Sequence, residues 1–191
     1  MVRRTLAIVG MIAVTGAAAC GSSSSHRSSI AQDRATAPST IAALLAPFHL
    51  DIQRWSIEPR AGEQPTSYEL SIYSRPASTQ SPDIYAGRFA PLAARVIPAA
   101  FAKYPDIGWI DLCQERAGTP SSTWEPQPVT RIEISRGAAR AIDWAHATVA
   151  DLLTRNVTDD ANVQIETHDN VARTQLWKTA AARARSRAKK G

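Results

Sequence analysis

Ser67–Ser74, SYELSIYS, alternates apolar and polar side chains over its whole length. This is the pattern of a strand with one buried face and one solvated face. Tyr68, Leu70 and Ile72 fall on one side; Ser67, Glu69, Ser71 and Tyr73 fall on the other. A chain holding such a strand must supply neighbouring strands for its edges and an apolar layer for its inner face. Asp51–Glu58 alternates in the same way. The link between the two, Pro59–Thr66, contains Gly62 and Pro65 and suits a hairpin loop. Further on, Ile107–Cys113 is a compact apolar strand, and Val129–Ser135 places Ile132 and Ile134 on one face. Val163–Thr167 reads as a short edge strand.

Helical spacing fills the intervals. A helix is predicted from Ile84 or Pro91 to Lys103, with Leu92, Val96, Ala99 or Ala100, and Lys103 on one stripe and a kink or break at Pro98. Ser135 is placed to cap a second helix. In it Ile142, Ala145, Val149, Leu152 and Leu153 form an apolar face up to Arg155. Ser39 or Thr40 begins a short helix through Ala46, ended by Pro47. The order of the main elements is ββαββα. It predicts a small two-layer α+β domain, with an antiparallel sheet of about four strands and the helices on one face. A weak echo runs through it. Trp55, Arg60-Ala61-Gly62 and Ser74-Arg75 in the first half match Trp109, Arg116-Ala117-Gly118 and Ser135-Arg136 in the second.

The N-terminus has a different character. Arg3 and Arg4 precede the apolar run Leu6–Gly16, and Ala17-Ala18-Ala19-Cys20 follows. That run rises only about 16 Å as a helix, too short for a hydrocarbon core of about 30 Å. Charged start, short apolar run and small residues are the three parts of a secretory signal. Ala18-Ala19-Cys20, followed by Gly21 and Ser22–Ser25, resembles the end of a bacterial lipoprotein signal peptide. Ala17 departs from that pattern, in which Leu is common, and Ala17-Ala18-Ala19 also fits ordinary A-x-A cleavage. The resemblance covers about the first 25 residues. It implies that residues 1–19 are removed and that Cys20 carries the lipid. The protein is then held by that lipid on the extracytoplasmic face of the cell membrane. Residues 20–38 then read as a Ser-rich flexible tether, 39–170 as the α+β domain and 171–191 as a basic tail. Only four of the 22 basic residues are lysine, and this Arg- and Ala-heavy usage is that of a GC-rich genome such as an actinobacterial one.

The formal net charge of +5 is unevenly spread. Residues 171–191 hold seven basic residues and no acid, whereas the body is mildly acidic. This places the positive charge on a tail and not on a binding face of the fold, which argues against a nucleic-acid partner. It points to anionic lipid or wall polymer, with Arg183, Arg185 and Arg187 as contacts and Trp177 as an interfacial anchor. With Cys20 acylated, Cys113 has no partner in the chain, so no internal disulfide is expected.

Motifs that carry chemistry are sparse. The chain has no G-x-S-x-G, H-E-x-x-H, Gly-rich phosphate loop or C-x-x-C, and its four histidines lie in separate segments. No metal or cofactor is predicted. Asp111 sits in an otherwise apolar strand, and with Glu115 and Glu133 it offers acids for glycan chemistry. Trp55, Trp109 and Trp144 lie in periodic elements and read as core. Trp124 lies in a polar loop and reads as an exposed contact. The resulting expectation is an envelope binding or scaffolding module with no catalysis implied. The alternatives are a glycan-acting enzyme using Asp111 and Glu115, and an accessory subunit of a membrane secretion or conjugation machine.

Overall fold

The computed structural model describes residues 22–60, 67–118 and 128–190. The α+β class holds. Five strands form one sheet in sequence order: β1 (Leu50–Pro59), β2 (Tyr68–Pro76), β3 (Ile107–Glu115), β4 (Pro128–Ser135) and β5 (Val163–Thr167). β1–β2, β3–β4 and β4–β5 pair antiparallel, but β2–β3 pairs parallel, so the sheet is mixed. The reason is α2 (Pro82–Lys103), which connects them. A helix spanning the sheet carries the chain back to its starting end, so the next strand runs parallel to the last. The expected four-strand ββαββα order is not exactly matched: a helix precedes β1, two helices follow β4, and β5 adds a fifth strand with further helix after it.

The register sorts the side chains. Leu70 and Ile72, Ile110 and Leu112, and Ile132 and Ile134 lie on one face. They are buried in a single core with residues of the helices. Within α2, Leu92, Val96 and Ala100 lie on the predicted stripe and are buried. The helix is assigned without interruption through Pro91 and Pro98, so the expected break does not occur. Its buried face outweighs two missing backbone donors.

Three other expectations are corrected. The first helix is not confined to Ser39–Ala46: α1 spans Ser22–Leu45 with Pro38 inside it. Ile30 and Ala37 are buried along with Ile41 and Leu45, so residues 30–38 of the stretch read as a tether pack into the fold. The helix ending near Arg155 is two helices, α3 (Arg136–Arg140) and α4 (Val149–Thr158). Ser135 caps the first by accepting from the Ala138 N–H, as expected. The second has its own start, a capping box between Thr148 and Asp151. Between them Trp144 donates its indole N–H to the Ala139 carbonyl at 2.8 Å. These side-chain bonds satisfy backbone groups that a continuous helix would have paired. The basic tail, finally, is not an appendage. It forms α5 (Asp169–Ala172) and α6 (Gln175–Ala188).

Both sheet edges are partly capped. Arg34 of α1 donates to the Ile57 carbonyl of β1 from Nε at 3.1 Å and from Nη2 at 2.6 Å. On β5, the Ile165 N–H donates to Asn156 Oδ1 at 2.6 Å. Occupied edge groups cannot template another strand. No described helix is long and apolar enough to cross a membrane.

Candidate functional site

The face of the sheet opposite the core carries Arg54, Glu69, Tyr73, Asp111, Glu115, Arg131 and Glu133 by the same alternation. Asp111 and Glu133 are directly opposed on β3 and β4. Two like charges in that register repel. Arg131 resolves the conflict. It grips Asp111 through two bonds, Nε to Oδ1 at 2.8 Å and Nη2 to Oδ2 at 3.0 Å, and it lies 3.5 Å from Glu133. It also reaches Glu166 of β5 at 3.5 Å. Tyr73 donates its hydroxyl to Asp111 at 3.0 Å.

Two more arginines span the strands. Arg60 pairs with Glu69 of β2 and with Glu133 of β4, the latter at 2.5 Å, while its guanidinium covers the Trp109 ring at 3.7 Å. Arg54 of β1 reaches Glu115 of β3 at 2.5 Å and lies 4.2 Å over Tyr73. Between them the three guanidiniums bridge all five strands. Hydrogen bonding to Asp111 holds the Arg131 guanidinium well above its ordinary pKa. Burial, and then the Asp111 charge, push the Tyr73 phenol up, so it stays a donor.

This arrangement bears on the acids singled out from the sequence. Asp111 is 1% exposed and Glu115 is buried, and each is matched to an arginine. They share a face four residues apart, about 13 Å along a strand. Paired glycosidase acids stand roughly 5–10 Å apart across one bond. The two acids brace the sheet and do not converge on a shared substrate position. Cys113 lies between them, fully buried, and burial raises its thiol pKa far above the ordinary value, which leaves it unreactive. Trp109 is buried beneath Arg60 on the charged face, whereas Trp55, its counterpart in the sequence echo, packs against the apolar core. The two halves therefore share an element order but not a facing.

The tail residues are placed by α6. Thr174 caps it, accepting from the Trp177 N–H at 3.3 Å. Trp177, Ala180 and Ala184 are buried and form one helical stripe. Trp177 is 4% exposed and its ring lies 5.2 Å from that of Phe89. It is a core residue, and the reading of it as an interfacial anchor is withdrawn. The alanines let α6 lie close against α4. Arg187 pairs with Asp151. Burial alone would raise the Asp151 carboxyl, but its bonds with Thr148 and Arg187 hold it below the usual range. Arg183 and exposed Leu176 border an apolar groove of about 360 Å³ with Val149 and Ala150. Lys178, Arg183, Arg185, Lys189 and Lys190 are exposed, and no acid among the described residues pairs with them. Cys20 and Trp124 lie outside the described residues.

The arginine brace was missed from sequence, although its signal was available. The alternation that buries Leu70, Ile72, Ile132 and Ile134 also sends Glu69, Tyr73, Arg131 and Glu133 to one shared face. No protein-family model matches the chain, and no curated protein and no solved structure matches it either.

Proposed function

We propose that the protein is a binding module of the cell envelope, lipid-anchored at Cys20, that rests on an anionic surface through the outer face of α6. The observation that carries this reading is the docking of α6. Its Trp177–Ala180–Ala184 stripe is held in the domain, so Lys178, Arg183, Arg185, Lys189 and Lys190 project together from an ordered scaffold. An ordered array loses less conformational freedom on binding than a flexible tail. Each basic residue near an anionic surface contributes about 1 kcal/mol, fading within a Debye length of about 8 Å. The commitment of Asp111 and Glu115 to arginines favours binding over glycan hydrolysis.

Two experiments test the two parts. Cys20→Ser is expected to move the protein from the detergent phase to the aqueous phase in a partition assay. Acyl chains contribute about 0.8 kcal/mol per buried CH₂, and serine cannot carry the thioether. Wild-type protein in the aqueous phase would remove the anchor and leave ordinary A-x-A cleavage. For the surface, the Cys20→Ser protein is sedimented with anionic and neutral vesicles. It should bind the anionic ones in a salt-sensitive way. Arg183→Gln, Arg185→Gln and Lys189→Gln combined should weaken binding by about 3 kcal/mol, roughly a hundredfold. Equal binding to neutral vesicles, or no loss in the triple variant, would overturn the surface assignment.

A further inference from the structure

A cavity of about 610 Å³ is lined by the loop between α3 and α4, by α4 and by the last turn of α6. It shares no residue with the arginine brace, and its volume falls in the range of small-molecule sites, roughly 300–1,000 Å³. Its acids are already engaged. Asp143 accepts from the Ala145 N–H at 3.3 Å with one oxygen and from His146 Nδ1 at 2.9 Å with the other. The His146 bond holds the Asp143 carboxyl below its ordinary range. Asp151 accepts from Arg187 with one oxygen and from the Thr148 N–H, at 2.8 Å, with the other.

Arg155 stands differently on the same cavity. Its Nη2 donates to the Ala141 carbonyl at 3.0 Å. That acceptor is neutral, and among the described residues no carboxylate pairs with Arg155. The bond ties the guanidinium to the α3–α4 loop without cancelling its charge. Arg187, from α6, spends Nη1 on Asp151 and keeps its Nε and Nη2 donors. Ile142, Ala147 and Ala188 add apolar surface to the same walls. The cavity therefore combines one uncompensated cation, a second guanidinium with donors to spare, and hydrocarbon beside them.

We infer that this cavity binds a small organic monocarboxylate, with its charged end on Arg155 and Arg187 and its hydrocarbon part against Ile142, Ala147 and Ala188. A guanidinium offers parallel N–H donors that match a planar carboxylate. A phosphate monoester brings close to two negative charges at neutral pH. Only one cation is surplus here, and Asp143 and Asp151 on the same cavity repel the second charge. A neutral apolar occupant would take water from Arg155 and give it no acceptor in return. The site uses none of the exposed basic residues assigned above to the anionic surface, so it does not depend on that assignment.

The test uses the Cys20→Ser protein at constant ionic strength, titrated with benzoate and with hexanoate. Binding is followed by NMR of the arginine Nε–H groups and by thermal melts. Benzamide, close to benzoate in shape but uncharged, is the control. At least one carboxylate is expected to bind saturably, to shift the Nε–H signals of Arg155 and Arg187, and to raise Tm. Benzamide should bind weaker by about tenfold or more. Arg155→Met should weaken carboxylate binding about tenfold, and Arg155→Lys should restore part of it, because lysine keeps the charge and loses the planar fork. Ala188→Phe keeps every cation and fills the cavity from α6, so it should abolish binding while the protein stays folded. The inference is overturned if neither carboxylate binds saturably, if benzamide binds as well as benzoate, or if Arg155→Met or Ala188→Phe binds as the parent does. Tighter binding of inorganic phosphate than of either carboxylate would overturn it as well.

Discussion

Replacing Arg131 with alanine is expected to destabilise the fold by about 3–5 kcal/mol, measured by denaturant melts. The loss comes less from the missing arginine than from what it leaves. Asp111 is 1% exposed and would retain the bond from the Tyr73 hydroxyl in place of the bidentate grip. A buried carboxylate without its cation pays the full cost of desolvation. Asp111 would also face Glu133 across the β3–β4 register with the shared bridge gone. The companion variant distinguishes brace from site. Arg131→Met combined with Asp111→Leu removes both charges and fills similar volume, and should recover to within about 1 kcal/mol of the parent. A single variant that costs less than about 1 kcal/mol would mean that water reaches Asp111 freely and that the bidentate pair contributes no more than a surface ion pair.

Trp177→Ala is expected to cost about 3–5 kcal/mol, the range for emptying a buried aromatic site. The ring packs against Phe89 and anchors the helix that carries the exposed basic array. Loss of stability and loss of vesicle binding should therefore appear together in this variant. Lys178→Ala, on the exposed side of the same helix, should stay within about 0.5 kcal/mol. For the same reason, deleting Val171–Gly191 is a poor test of the charges, because it removes part of the core along with them. A near-neutral Trp177→Ala would detach α6 from the domain and return residues 171–191 to the status of a tail.

These two sites show where the sequence was readable. The strands were legible because period-two alternation survives in Tyr68–Pro76 and Pro128–Ser135 even though both faces are largely covered. Val163–Thr167 emerged with its predicted bounds. The helix through Ile142 misled because apolar spacing continues across Ala141–Ala147 while Asp143, Trp144 and Thr148 turn their polar groups to nearby backbone. Periodicity records which face is apolar, not whether the backbone between two apolar residues stays helical. The segments at either end were misjudged for a related reason. Serine-rich and alanine-rich stretches look weakly apolar, yet Ala37, Ala180 and Ala184 are buried because small side chains allow close helix packing.

The docking of α6 also has a consequence in time. Ribosomes make the chain from its N-terminus at about 5–20 residues per second, so Phe89 exists for roughly 5–20 s before Trp177 is joined to it. Through that interval the α2 surface that will receive α6 is open to solvent. Even when the last strand, Val163–Thr167, is complete, the core is not. The core therefore closes only after α6 (Gln175–Ala188) has been made. A product cut short before Trp177 would leave that part of the α2 surface uncovered.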